Sequence, residues 1–182
     1  MVVVLIGVMA AMGIKYFIDA MDKARATGVE MLAWRFAQSA STLGAWSHIP
    51  AAINPETHGT DDRGVNWVML NGVVIYLNEN GWPFTTDALR SPLIGQQTAA
   101  DCQQLLNAML KPVMTYGDKP SNEAGNQYRI FVMDGRVCRY QLTQNTDEPW
   151  FFDYRLETGE VRLSVPRLKA VPKLTVERYT SS

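Results

Sequence analysis

Residues 2–14 read VVVLIGVMAAMGI, and residues 15–46 continue KYFIDAMDKARATGVEMLAWRFAQSASTLGAW. Every residue from Val2 to Ile14 is apolar, Ala or Gly, and Lys15 is the first charge. A helix over those positions is roughly 20 Å long, short of the ~30 Å hydrocarbon core of a bilayer. Carried on through Tyr16, Phe17 and Ile18, with Lys15 snorkelling toward head groups, it reaches about 25 Å. A secretory signal peptide is the natural rival, but no basic segment precedes the apolar run and no polar break comes after it. A buried helix of a soluble protein is the third reading, and it would have to hide the whole apolar cylinder.

Residues 17–46 decide between them. No proline occurs before Pro50. Met21, Ala24, Leu32, Phe36 and Leu43 recur at helical spacings, while Asp19, Asp22, Lys23, Arg25, Glu30 and Arg35 supply a polar side. The pattern predicts one helix of about 45 residues, close to 70 Å long, bent or loosened near Gly13 and Gly28. Its residues 1–18 read as a membrane-anchoring segment and 19–49 as an amphipathic spine. Val2, Val3, Val4, Leu5, Ile6, Val8, Ile14, Met21, Leu32 and Phe36 are the expected membrane-facing or helix-packing residues.

Residues 50–165 read as a globular head. Pro50, Pro55 and the polar residues between Asn54 and Gly64 predict a loop that ends the helix. Val65–Leu70 and Val73–Leu77 flank Asn71-Gly72, the dipeptide best suited to a type I′ hairpin turn. Asn78–Gly81 is a second turn, leading to Trp82-Pro83. Thr98 and Asp101 form an acidic variant of a capping box for a short helix running through Cys102 to Leu110. Tyr128–Met133 and Arg136–Thr143 flank Asp134-Gly135, and Trp150–Leu156 and Glu160–Val165 make a second hairpin. Helix first and strands later give an α+β class, with an antiparallel sheet laid on the spine. Residues 166–182 are a tail carrying Lys and Arg.

The composition, 47% apolar and 19% charged, is that of an ordinary globular chain, and a net charge of -1 offers no basic face for nucleic acid. Cys102 and Cys138 are the only cysteines; in an exported domain an even pair points to a disulfide, with two buried free thiols as the alternative. His48 and His58 stand near Glu56, Asp61 and Asp62, but their spacing fits no metal motif and a polar loop collects such residues. Trp67, Trp82, Trp150, Phe151 and Phe152 either line a groove or pack within a sheet, and aromatics in strands more often do the latter. No hydrolase, zinc-protease, P-loop or dinucleotide motif occurs, so neither an enzymatic role nor a cofactor is expected.

In this layout the chain resembles type IV pilin-like proteins, and more narrowly minor or accessory proteins of the mannose-sensitive haemagglutinin (MSHA) pilus system. The resembling features are the VVVLIGVMAAMG opening, the continuing helix, Asn80-Gly81-Trp82-Pro83, DCQQLLNAML at 101–110, the Cys138-x-Tyr140 strand and the 152–161 hairpin FDYRLETGEV. The resemblance implies an inner-membrane protein with its head in the periplasm, other pilins or pilus assembly proteins as partners, and a Cys102–Cys138 disulfide. It departs from the pattern in lacking a basic leader and the glutamate that precedes the apolar run. That departure fits either an accessory protein that stays out of the filament or a true start lying upstream. A secretion-system pseudopilin, and a membrane-tethered domain using the aromatic strands or the His48–Asp62 loop, are the rival classes.

Overall fold

The computed structural model describes residues 2–48, 56–89, 94–110, 128–142 and 149–164. The side chains of 2–13, Lys15 and Asp19 lie outside the described set. The expected packing roles of Val2, Val3, Val4, Leu5, Ile6 and Val8 therefore fall outside it, as does the tail 166–182.

The fold is α+β. A single helix α1, Val2–Trp46, is followed by β1 (His58–Thr60), β2 (Asn66–Leu70), β3 (Val73–Leu77) and β4 (Pro83–Thr85). Helix α2 (Ala99–Leu110) then leads to β5 (Tyr128–Met133), β6 (Val137–Leu142), β7 (Phe151–Arg155) and β8 (Val161–Ser164). The strands are antiparallel, as the hairpin signals predict, but they divide into two four-stranded meanders, β1–β4 and β5–β8. Helix α2 stands between the two runs in sequence and packs against β3, β4 and β5.

The turns at both predicted hairpin dipeptides form. Asn71 and Gly72 have φ of 53° and 77°, and Asp134 and Gly135 have 52° and 63°, the left-handed pair that matches strand twist. Two strands were not legible in the sequence. β1 lies inside the expected polar loop, where His58 pairs with Val68 and Thr60 with Asn66. β4 carries a proline at its start, tolerable because β4 is an edge strand.

α1 gives the head one stripe: Val29, Ala33, Phe36, Ala40 and Leu43 are buried, at alternating spacings of four and three. The helix meets β4, β7, β8 and α2. Phe36 is fully buried, its ring among those of Tyr140, Phe152 and Tyr154 at centroid distances of 5.6, 5.7 and 4.9 Å. Leu105, Leu106, Met109 and Leu110 of α2 complete the core. α2 begins as predicted: the backbone N–H and Oγ1 of Thr98 both donate to Asp101 Oδ2 at 2.6 Å, and the Asp101 N–H returns to Thr98 Oγ1 at 3.4 Å. The carboxylate also sits favourably at the positive end of the helix dipole.

Candidate interaction surface

Three features bear on what the molecule does: the disulfide, the junction holding the helix to the head, and the part of α1 that the head leaves bare.

Cys102 on α2 and Cys138 on β6 form a disulfide, with Cα atoms 5.7 Å apart and a sequence separation of 36. Both cysteines are buried, and Tyr140 Oη donates to the Cys102 carbonyl at 3.0 Å alongside the bridge. The link ties α2 to the second sheet. A buried bridge of this kind marks a domain that matures in an oxidising, extracytoplasmic compartment.

The Asn78–Pro83 segment is the junction. Asn78 is buried, and its Nδ2 donates to the carbonyls of Leu156 (2.7 Å) and Glu157 (3.1 Å). Its Oδ1 accepts from the backbone N–H groups of Asn80 and Trp82, both at 2.9 Å. One amide therefore satisfies two segments that would otherwise leave buried polar groups unpaired. The Trp82 indole then lies between the helix at Gly44, where a Cβ would come 3.3 Å from the ring, and the β7–β8 turn at Gly159, where a Cβ would overlap it. Tyr154 Oη donates to the Pro83 carbonyl at 2.7 Å, closing the junction on its inner side. The sequence marks this segment only as a turn; its role requires partners some eighty residues away.

Below the head the helix is uncovered. Ile14 is 61% exposed, Tyr16 79%, Phe17 65% and Ile18 52%, so large apolar and aromatic side chains face outward around most of its circumference. Among the described residues no helix is long and apolar enough to cross a membrane. Met21 is partly bared on the same stretch, whereas Leu32 is half-buried against the core and Phe36 is wholly inside it. Phe36 thus packs within this chain. Further along α1, Met31 and Trp34 stand exposed one turn apart, at 49% and 64%.

The remaining sequence candidates settle into structural places. Asp61 accepts from the N–H groups of Val65 (2.9 Å) and Arg63 (3.0 Å) and from the Arg63 guanidinium (2.7 Å). Those bonds, the Val65 N–H foremost, hold its carboxyl below the usual range, so it organises a turn as a carboxylate. His58 is buried in β1 beside Thr57, and His48 is exposed past the end of α1. Among the described residues no three His, Cys, Asp or Glu side chains gather where they could hold a metal. Trp150 and Phe152 are core residues, and Phe151 lies under the Arg139 guanidinium, 3.9 Å from its ring centre. Arg139 in turn forms a two-pronged pair with Asp153 at 2.7 and 2.8 Å. The aromatics are distributed through the sheets and junction instead of lining one groove. A cleft of about 620 Å³ opens beside Val65, Leu77, Asn78, Phe84 and Glu157.

The chain matches no protein-family model, no curated protein and no solved structure. Its architecture, a long N-terminal helix packed on antiparallel sheets with one disulfide, is pilin-like.

Proposed function

We propose that this chain is a non-enzymatic component of MSHA-type pilus biogenesis, a minor pilin or accessory assembly protein anchored in the inner membrane with its head in the periplasm. The observation that carries the reading is the helix itself. α1 continues from a disulfide-bonded head as one helix, Val2–Trp46, and bares Ile14, Tyr16, Phe17 and Ile18. Tyr16 beside Lys15 is the pairing that a membrane interface favours. Partners are other pilins or assembly proteins, meeting α1 on the face of Met31 and Trp34, and the reaction chemistry of an enzyme is not required of any residue.

The test is fractionation of native cells before and after shearing of pili, with N-terminal sequencing of the recovered protein, alongside a Met31→Glu/Trp34→Glu variant. Recovery in the inner membrane or pilus fraction, and loss of surface pili in the variant while its head stays folded, is the expected result. Recovery as a soluble protein with reduced thiols, or normal piliation when the gene is deleted, overturns it. A secretion defect with normal pili reassigns the protein to a secretion machine.

A further inference from the structure

The two sheets carry opposite charge. In β5–β8, Cys138, Tyr140, Phe152 and Tyr154 are buried on the side facing the helices, so the residues alternating with them form an outer face. The register extends that face across the sheet: Phe131 stands opposite Arg139, Asp153 follows, then Arg162, while Arg129 stands opposite Gln141. These four strands hold four Arg and a single acid, Asp153. Arg139, Arg155 and Arg162 are engaged by Asp153 and Glu160. Arg129 is exposed and, among the described residues, has no ion pair. It lies on the edge strand β5, two residues from Phe131, which is 44% exposed. Arginine beside an exposed aromatic ring is the composition of protein contact surfaces.

Residues 56–89, which carry β1–β4, set five carboxylates (Glu56, Asp61, Asp62, Glu79 and Asp87) against Arg63. The cleft of about 620 Å³ opens on this side. Its floor is the buried trio Val65, Leu77 and Phe84, and its rim includes Glu79, Glu157 and Thr158. Glu79 is exposed and, among the described residues, has no ion pair. The volume lies within the range of about 300–1,000 Å³ that accepts a sizeable group. An apolar floor under a carboxylate rim suits an apolar side chain with a cation beside it.

The edge and the cleft lie toward opposite ends of the second sheet. Arg129 faces Gln141 at one end, and Arg155, which leads into the turn bearing Glu157 and Thr158, faces Val137 at the other. Four residues of strand separate those positions, about 14 Å at ~3.4 Å each. Arg129 is therefore out of reach of its own cleft and available to that of a neighbour.

We propose that the β5 edge of one molecule docks into the cleft of a second copy, with Phe131 over the apolar floor and Arg129 against Glu79. The contact is head-to-tail: each copy in a pair keeps one free edge and one free cleft, so the same contact can repeat along a row of heads. It goes beyond the pilus reading, which rests on α1, because it joins heads through their sheets.

Two differently tagged full-length copies are co-expressed, one with Gln141→Cys beside Arg129 and the other with Thr158→Cys on the cleft rim. Native membranes are then treated with a short bis-maleimide, and retention of the buried Cys102–Cys138 bridge shows that each head is folded. Links between the two tags are expected. Their yield should fall about ten-fold when the first copy carries Arg129→Glu or Phe131→Asp, and recover to within about three-fold when Arg129→Glu meets Glu79→Arg in the second. Arg129→Gln, a milder change, should give an intermediate yield. Raising salt from about 0.05 to 0.5 M should also lower the yield, because exposed charges are screened. No link between the tags, a yield indifferent to Arg129→Glu, or preferential links between two Gln141→Cys copies overturns the docking. The links do not require the protein to reach pili, so fractionation of the same cells reports on the pilus reading separately.

Discussion

The ring of Phe36, on the spine helix, meets the ring of Tyr154, on β7, edge to face at 4.9 Å between centroids. This contact joins the first element of the chain to nearly the last, and both residues are fully buried. Phe36→Ala is expected to destabilise the head by about 3–5 kcal/mol through lost burial and an unfilled cavity. Phe36→Leu should cost less than half of that. Urea denaturation of the two variants, followed by near-ultraviolet circular dichroism, checks the order.

The two buried tyrosines make the head sensitive to alkali. Burial raises both the Tyr140 and Tyr154 phenols above the ordinary tyrosine value, Tyr154 with a further contribution from Tyr140. Below a pH of about 10 both folded and unfolded chains hold these protons and stability is complete. Above it the unfolded chain releases them first, so stability falls with rising pH toward the folded-state values, at about 1.4 kcal/mol per pH unit for each phenol. Urea midpoints measured from pH 8 to pH 11 should drop, and Tyr154→Phe should flatten the slope while losing the bond to Pro83.

Opening the disulfide should weaken the head without dismantling its core. A loop closed over the 36-residue separation contributes roughly 3–4 kcal/mol in the chain-entropy description. Cys102→Ser/Cys138→Ser is expected to lower the urea midpoint accordingly. Because both sulfurs are buried, the native bridge should resist mild reductant until the chain unfolds, which thiol labelling across a denaturant series will read.

Gly159 holds a left-handed backbone, φ +67°, with no room for a Cβ beside Trp82. Gly159→Ala adds a backbone cost of about 1–2 kcal/mol to an overpacking cost of about 1–3 kcal/mol. The substitution should also displace the indole, seen as a shift in tryptophan emission. Gly64→Ala, at a similar φ with open space around it, is the control and should show the backbone cost alone.

Trp34→Ala removes a large side chain that is 64% exposed and lies outside the core. Stability should change by less than about 0.5 kcal/mol, so any loss of assembly in this variant reports on an intermolecular contact.

The hairpins, the spine and the capped helix were legible because each is encoded locally. Asn71-Gly72 and Asp134-Gly135 demand left-handed turns, Thr98 and Asp101 satisfy free helix N–H groups, and a proline-free periodic run can only continue as a helix. The strand in the polar loop was not legible, since His58-Gly59-Thr60 has little intrinsic strand preference and pairs because β2 presents an open edge. Dividing eight strands into two sheets was equally hidden, for it depends on where α2 packs after the fourth strand. Asn78 illustrates the same limit: its neighbours in sequence mark a turn, while its hydrogen bonds to Leu156 and Glu157 are long-range.

By itself, then, the sequence determined the α+β class, a helix apolar at one end and amphipathic at the other, and the pair of cysteines, because periodicity, turn chemistry and composition act over a few residues. The disulfide expected of those two cysteines forms between α2 and β6, whereas it took the folded chain to show that Phe36 lies inside the head while Ile14, Tyr16, Phe17 and Ile18 lie bare, and that Trp82 fastens the helix to the β7–β8 turn. Those outcomes depend on which distant surfaces exclude water from one another, and no local pattern records that.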